Sequence, residues 1–315
     1  MKLSDITRVC VLGAGTMGSS IALSFASHGF NVDMFDISQE RLQKGFHSVE
    51  ASMGILLEND LLQKEELQDI SGRIKGCISL QQASASRFVI ECAPEKLELK
   101  QDIFQDLEKH FPEDVIFATN TSGLSPSAIA SKLVHKDRFT ASNFWNPAHL
   151  LPLVEIMPGE CTSPETLRIV KELMEKIGKK PVVLKKETLG FIGNRLQFAL
   201  LREALHIVDS GIASKEDVDK AVKYGIGRRL GDTGPLETAD LGGTHVYAAI
   251  CETLFKSLSN SGTVSAILKD PAENGDLGYT TGRGIYEWTD EGLAEIQHKR
   301  QQTLIDWLRR DREEQ

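Results

Sequence analysis

Between residues 9 and 184, short β-branched or apolar runs recur at intervals filled by helix-period stretches, and this alternation restricts the fold more than any other feature of the chain. The runs are residues 9–12, 31–35, 88–91, 115–118, 153–156 and 182–184. Strands punctuated by helices need crossover connections, which implies a mainly parallel sheet with helices on its faces. Residues 38–70 depart from the rhythm: they are too many for one short crossover and rich in Glu, Leu, Lys and Gln, so they read as a helical pair projecting from the sheet. After Lys186 the strand-like runs nearly vanish, and residues 190–208 form an apolar helix-period segment that includes Phe191, Leu196, Phe198, Leu201 and Leu205. At 315 residues the chain is about twice the ~150-residue prior for one domain. The expected architecture is α/β, a doubly wound sheet over residues 1–187 followed by an all-helical C-terminal domain over 188–315. Ser214, followed by Glu216 and Asp217, reads as a helix start, and residues 309–315 as a solvated helix end.

The first run leads directly into Gly13-Ala14-Gly15-Thr16-Met17-Gly18, and helix-period residues Ile21, Ala22, Phe25 and Ala26 follow. This is GxGxxG between a strand and a helix, the setting in which it binds a dinucleotide. Gly13 permits the tight turn, Gly15 lets a pyrophosphate approach the backbone, and Gly18 lets helix and strand pack closely. Amides at the helix start, including those of Thr16 and Met17, face the phosphate charge. Asp36 closes the second run, where its carboxylate can accept hydrogen bonds from a ribose and would repel a 2′-phosphate. The N-terminal domain is therefore Rossmann-type, with NAD favoured over NADP.

Composition narrows the partners. The 36 Lys and Arg residues against 45 Asp and Glu give a net charge of −9, which disfavours nucleic acid and anionic membrane surfaces. Five widely spaced cysteines without a CxxC pair read as buried, reduced thiols of a cytoplasmic protein and indicate no metal site. No stretch has the length and apolar continuity of a membrane span.

Three further stretches go beyond a generic nucleotide fold: Asn120-Thr121-Ser122, then Asn143-Phe144-Trp145-Asn146-Pro147 continuing to Pro152-Leu153-Val154-Glu155, and Gly190-Phe191-Ile192-Gly193-Asn194-Arg195-Leu196. Together with Gly234-Pro235-Leu236-Glu237 and Gly282-Arg283-Gly284-Ile285-Tyr286, they resemble the 3-hydroxyacyl-CoA dehydrogenase family over nearly the whole chain. The wording is most similar to the branch containing lambda-crystallin and small 3-hydroxy-acid or 3-hydroxybutyryl-CoA dehydrogenases. The resemblance implies an oxidoreductase of fatty-acid metabolism that passes hydride between a 3-hydroxyl carbon and NAD, in a homodimer formed through the C-terminal part. It also implies that Ser122 and Asn194 hold the substrate, that Asn120, Glu95 and Lys100 lie near the cofactor, and that Glu155 orients the catalytic base.

At the position of that base the family has His, and this chain has Asn143. An amide has no accessible pKa near neutrality and cannot take the hydroxyl proton. Four accounts stay open: His149, six residues on in the same loop, supplies an imidazole; Glu155 itself acts as base; water relays the proton; or the chain is a catalytically weak or silent NAD-binding homodimer with a structural or binding role.

Overall fold

The computed structural model describes residues 1–313; Glu314 and Gln315, the end of the expected solvated tail, lie outside the described residues. Eight strands are present: β1 Arg8–Leu12, β2 Asn31–Phe35, β3 Ile74–Cys77, β4 Phe88–Glu91, β5 Ile116–Thr119, β6 Phe139–Phe144, β7 Leu153–Pro158 and β8 Lys180–Val183. The helices of the nucleotide-binding half are α1 Thr16–Ser27, α2 Gln39–Glu58, α3 Glu66–Arg73, α4 Leu80–Ala83, α5 Leu97–His110, α6 Pro126–Ile129 and α7 Pro164–Lys176. Beyond them follow α8 Gly193–Asp209, α9 Lys215–Ala221, α10 Gly227–Arg229, α11 Pro235–Leu241, α12 Thr244–Leu254, α13 Ala266–Glu273 and α14 Asp290–Glu313.

The strands form one sheet in the order β3-β2-β1-β4-β5-β6-β7-β8, parallel throughout except where β6 meets β7. The apolar runs become strands because helices cover both faces, leaving β1, β4 and β5 almost wholly buried. Two strands escaped the reading of the sequence. β3 (Ile-Lys-Gly-Cys) carries apolar side chains only at its ends, and β6 (Phe-Thr-Ala-Ser-Asn-Phe) looks polar yet every residue of it is buried. Asn143 therefore stands on a strand, paired in register with Glu155 across the antiparallel ladder, and not in the loop that holds His149.

The helical pair expected over residues 38–70 is α2 and α3, but it does not project. Leu42, Val49, Met53, Leu56 and Ile70 join the buried core that includes Ile21, Leu23 and Phe25 of α1. Ser214 caps α9 as expected, accepting from the Asp217 amide. The cysteines are all free, but Cys161 is exposed and Cys92 and Cys251 only half-buried, a correction to the uniformly buried set.

The chain divides into two compact units, residues 1–194 together with the described residues from Arg300 on, and Arg195–Lys299. The last turns of α14 belong to the first unit. There Ile305 is buried in the core, and Arg309 and Arg312 donate to the Asn59 and Leu61 carbonyls at 2.8 and 2.6 Å. In the second unit, residues 195–299, no side chain is buried. No helix among the described residues is long and apolar enough to cross a membrane.

Candidate active site

The nucleotide cradle starts where β1 ends. Gly13 has φ of +105°, a left-handed conformation that glycine reaches without strain, and its amide donates to the Phe35 carbonyl at 2.8 Å. A Cβ added at Gly18 would lie 1.7 Å from the Gly13 carbonyl oxygen, so only glycine allows α1 to start this close to the strand. Gly15, by contrast, has no heavy atom within 4 Å of where a Cβ would point, which leaves its surface open to a ligand. Thr16 and Met17 open the helix, and the Met17 side chain packs on the core, so its backbone amide is what it can offer an anion.

A cavity of about 810 Å³ runs from Gly13–Gly15 past Asp36, Ile37 and Arg41 on one side and Ala93, Leu99 and Ile103 on the other. Asp36 is almost fully buried, its two oxygens accepting from the Ala14 amide at 2.9 Å and the Ile37 amide at 2.8 Å. Each oxygen retains a lone pair for a ribose hydroxyl. An open glycine face, a helix N-terminus and a fixed carboxylate above an apolar cavity are the fit that an adenine dinucleotide requires.

Under the opposite wall lies an ion-pair network that sequence reading resolved only in part. Lys100 is buried, with its Nζ 2.7 and 2.9 Å from the oxygens of the equally buried Glu91, and Thr119 Oγ1 donates to Glu91 Oε2 at 2.6 Å. Lys100 thus points into the protein, with Glu95 as its second carboxylate at 3.4 Å. Glu95 Oε1 accepts the Thr121 hydroxyl and the amides of Ser122 and Gly123 at 3.2 and 3.1 Å. Burial alone would raise the Glu95 pKa; the Thr121 hydroxyl, the Lys100 charge and the Gly123 amide outweigh it and hold the group below its ordinary value. The network fixes the backbone of the Ser122 loop. Glu91, Thr119 and Thr121 were missed, although Glu91 ends an apolar strand and so invited a search for its counter-ion.

Glu155, on β7, is the centre of the second cluster. Its Oε2 accepts from Asn143 Nδ2 at 3.3 Å and Trp145 Nε1 at 3.1 Å, and its Oε1 accepts from the amides of Ile192 and Gly193 at 2.8 and 2.9 Å. The carboxylate caps the start of α8 while anchoring β6. Its four acceptor positions are all filled by N–H donors, so no lone pair is left for a substrate proton. The Trp145 ring sits against Gly193, where a Cβ would come within 2.3 Å of it. Trp145 was not singled out from the sequence, although it lies inside the motif.

Of the remaining expected residues, Asn194 and Ser122 come together, with Asn194 Nδ2 donating to the Ser122 carbonyl at 3.3 Å. Asn120 Oδ1 accepts the Phe144 amide at 2.8 Å and ties the end of β5 to β6. His149 does not join them. Its imidazole meets Ser20 Oγ on α1 at 2.8 Å, and burial, then the Lys179 charge, push it down to about 4. None of the donors to Glu155 is His149, so the structure directs this imidazole to Ser20 and not to the Asn143–Glu155 pair. Among the described residues no group of three or more His, Cys, Asp or Glu side chains converges on a metal-sized site.

Residues 8–188 match the family model described as 3-hydroxyacyl-CoA dehydrogenase, NAD binding domain, and residues 190–288 match the C-terminal domain of the same family. The lambda-crystallin homolog of Homo sapiens is 38% identical over 239 residues, covering 74% of each chain. The crystal structure of 5-formyl-3-hydroxy-2-methylpyridine 4-carboxylic acid 5-dehydrogenase, described as an NAD+ dependent dismutase, superposes with a TM-score of 0.90 at 28% identity, over 98% of this chain and 99% of that one. That of (S)-3-hydroxybutyryl-CoA dehydrogenase from Ralstonia eutropha gives a TM-score of 0.77 at 34% identity, over 90% of this chain and 100% of the other. The chain belongs to the 3-hydroxyacyl-CoA dehydrogenase family, and residues 8–188 are its NAD-binding domain.

Proposed function

We propose that this protein is a slow NAD-dependent dehydrogenase of a 3-hydroxyacyl-CoA, such as 3-hydroxybutyryl-CoA, or of a small 3-hydroxy acid. The observation that carries the reading is the pairing of Asn143 with a Glu155 whose oxygens are already filled by four N–H donors. Bound NAD supplies the hydride acceptor, or as NADH the donor. Gly13, Gly15 and Gly18 receive its pyrophosphate together with the helix amides at Thr16 and Met17, and Asp36 takes the ribose. Ser122 and Asn194 hold the substrate oxygen, positioned by the Glu95–Lys100–Glu91 network and by Asn120 beneath the same loop.

Asn143 Oδ1 can accept a hydrogen bond from the substrate hydroxyl and so orient it, but an amide does not take the proton away. With Glu155 saturated and His149 turned to α1, the proton leaves to water. Loss of a positioned base costs about 10²–10⁴-fold in rate, which is a slow enzyme and not an inert one. The same reading makes the protein a homodimer through its C-terminal unit, whose apolar side chains lack a core of their own.

The test is Asn143→His, assayed with acetoacetyl-CoA and acetoacetate and with NADH. The expected result is a kcat increase of about 10²–10⁴-fold and a new limb in the pH profile from the imidazole. A fast wild type that the substitution leaves unchanged overturns the proposed water route. Absence of turnover in both proteins, with NADH still bound, selects the silent NAD-binding homodimer instead.

A further inference from the structure

A second, small pocket lies away from the dinucleotide cradle, on the far part of α1, with apolar walls that include Leu23, Leu56 and Ile177. It has a volume of about 70 Å³ and is bounded by Ser24 and His28 of α1, His149 and Pro152, Lys179 before β8, and Arg312 of α14. We propose that this pocket binds a small oxyanion, represented by inorganic phosphate or sulfate, on the Lys179 ammonium, and thereby fastens the last turns of α14 to the nucleotide-binding unit.

The first ground is an unbalanced charge. Lys179 is nine-tenths buried, and its Nζ donates to the carbonyls of Ala148 and Leu151, which leaves one of three N–H groups unused. No described carboxylate forms an ion pair with it; Asp311 also lines the pocket but pairs with neither Lys179 nor Arg312. The charge that Lys179 does feel is the like charge of Arg312. A buried ammonium is ordinarily matched by an anion, because carbonyl dipoles alone do not replace its lost hydration.

The second ground is donor geometry. Ser20 Oγ accepts from the His149 amide at 3.0 Å and lies 2.8 Å from Nδ1 of the same residue, which leaves Nε2 as the ring nitrogen not engaged by Ser20. Arg312 spends one Nη1 bond on the Leu61 carbonyl and keeps other N–H donors. His28 Nδ1 donates to the Ser24 carbonyl at 2.8 Å, so its Nε2 bears no proton while the ring is neutral. Burial lowers the His28 pKa and, together with Lys179, holds His149 at about 4, so near neutrality both rings are uncharged and the lysine is the cationic centre. The volume exceeds the ~30 Å³ share of a single water, leaving room for a few clustered oxygens.

Burial, then Arg312, push Lys179 down to about 8. Anion affinity is thus full below that pH and falls as pH rises through it, by about tenfold per unit once the ammonium is lost. His28, His149, Asp311 and Arg312 are the other titratable groups facing the site, and Glu66 acts on Arg312 from α3; burial keeps both imidazoles neutral over this range.

The experiment uses the whole protein saturated with NADH, so that the pyrophosphate cradle is filled and sulfate cannot act there. Sulfate and, separately, phosphate are titrated against chloride at constant ionic strength while the thermal midpoint is followed. The expected result is a rise that grows with the logarithm of anion concentration above Kd and reaches about 5 °C or more at a hundredfold excess, weakened at pH 9.5. Lys179→Met should abolish the rise, and Arg312→Gln, a rim substitution that spares the core if the first variant fails to fold, should weaken the anion at least tenfold; both should bind NADH as the wild type does. A rise linear in anion concentration, with no logarithmic curvature and no dependence on Lys179, is the general stabilisation of salt exclusion and overturns the proposal. So does an equal rise in either variant, or a Lys179→Met protein whose midpoint falls equally in chloride and sulfate, since the lysine then only caps two carbonyls.

Discussion

Glu155 and Glu91 are buried carboxylates on two strands of one sheet, neutralised in different ways. Glu91 has an ammonium 2.7 Å away, whereas Glu155 is held by four neutral N–H groups, two of them at the first turn of α8. Changing Glu155 to Gln would replace one acceptor oxygen by an NH2 that faces other donors, leaving at least one buried N–H unpaired. Glu155→Gln should therefore cost about 1–3 kcal/mol of stability, read as a lower urea midpoint with an unchanged m-value, while NADH affinity stays as in wild type. An unchanged midpoint would mean that the network contributes nothing to the fold. The sequence made Glu155 legible because a carboxylate within Leu-Val-Glu-Ile must find a partner if buried. It did not reveal that two of the partners are backbone amides some forty residues on, since backbone donors leave no trace in residue identity. Nor could it aim His149 at Ser20, a contact made across 129 positions.

At the scale of the element, the turn from β1 into α1 was readable almost to the residue, because only glycine satisfies a left-handed φ at Gly13 and the 1.7 Å constraint at Gly18. Gly18→Ala should push α1 away from the Gly13 carbonyl, destabilise the protein by about 1–3 kcal/mol and weaken NADH at least tenfold, as a fluorescence titration would report. Gly15→Ala should spare the apo fold, having no protein atom to meet, and weaken the dinucleotide alone. Equal effects of the two substitutions would refute that division of labour. β6 was hidden for the opposite reason: its Thr, Ser and Asn residues look like a loop. Thr140 satisfies its hydroxyl on the Met157 carbonyl at 2.9 Å and Asn143 its amide on Glu155, which lowers the cost of burying them, whereas the Ser142 hydroxyl is buried with no hydrogen-bond partner among the described residues. The helical pair α2 and α3 was legible as helices but not in placement, because a buried stripe of Leu42, Val49, Met53 and Leu56 is interleaved with polar and charged residues along α2.

For the molecule as a whole, the decisive observation is the second unit. Residues 195–299 hold no buried side chain, and Phe198, Leu236, Leu241 and Phe255 are 57%, 85%, 78% and 68% exposed. A unit of this size with no interior cannot offset the conformational entropy of its own ordering. Single exposed apolar residues are unremarkable on a surface, but a whole unit of them is the pattern of half an interface. The sequence hinted at this through the apolar length of residues 191–207, but periodicity cannot tell a face buried in its own domain from one buried in a second copy. The expected outcome is a mass of two chains in light scattering at micromolar concentration, through an interface in the obligate range of about 2,000–5,000 Å². Phe198→Glu on α8 should lower the thermal midpoint in a way that depends on protein concentration, because folding of the second unit is then tied to an association that has lost an apolar anchor for a buried charge. The glycine turn at Gly13 lies in the other unit, so NADH titration should be nearly unaffected by the same substitution. A wild type that stays monomeric, with a concentration-independent midpoint, would mean that the exposed side chains of residues 195–299 are covered by something other than a copy of this chain.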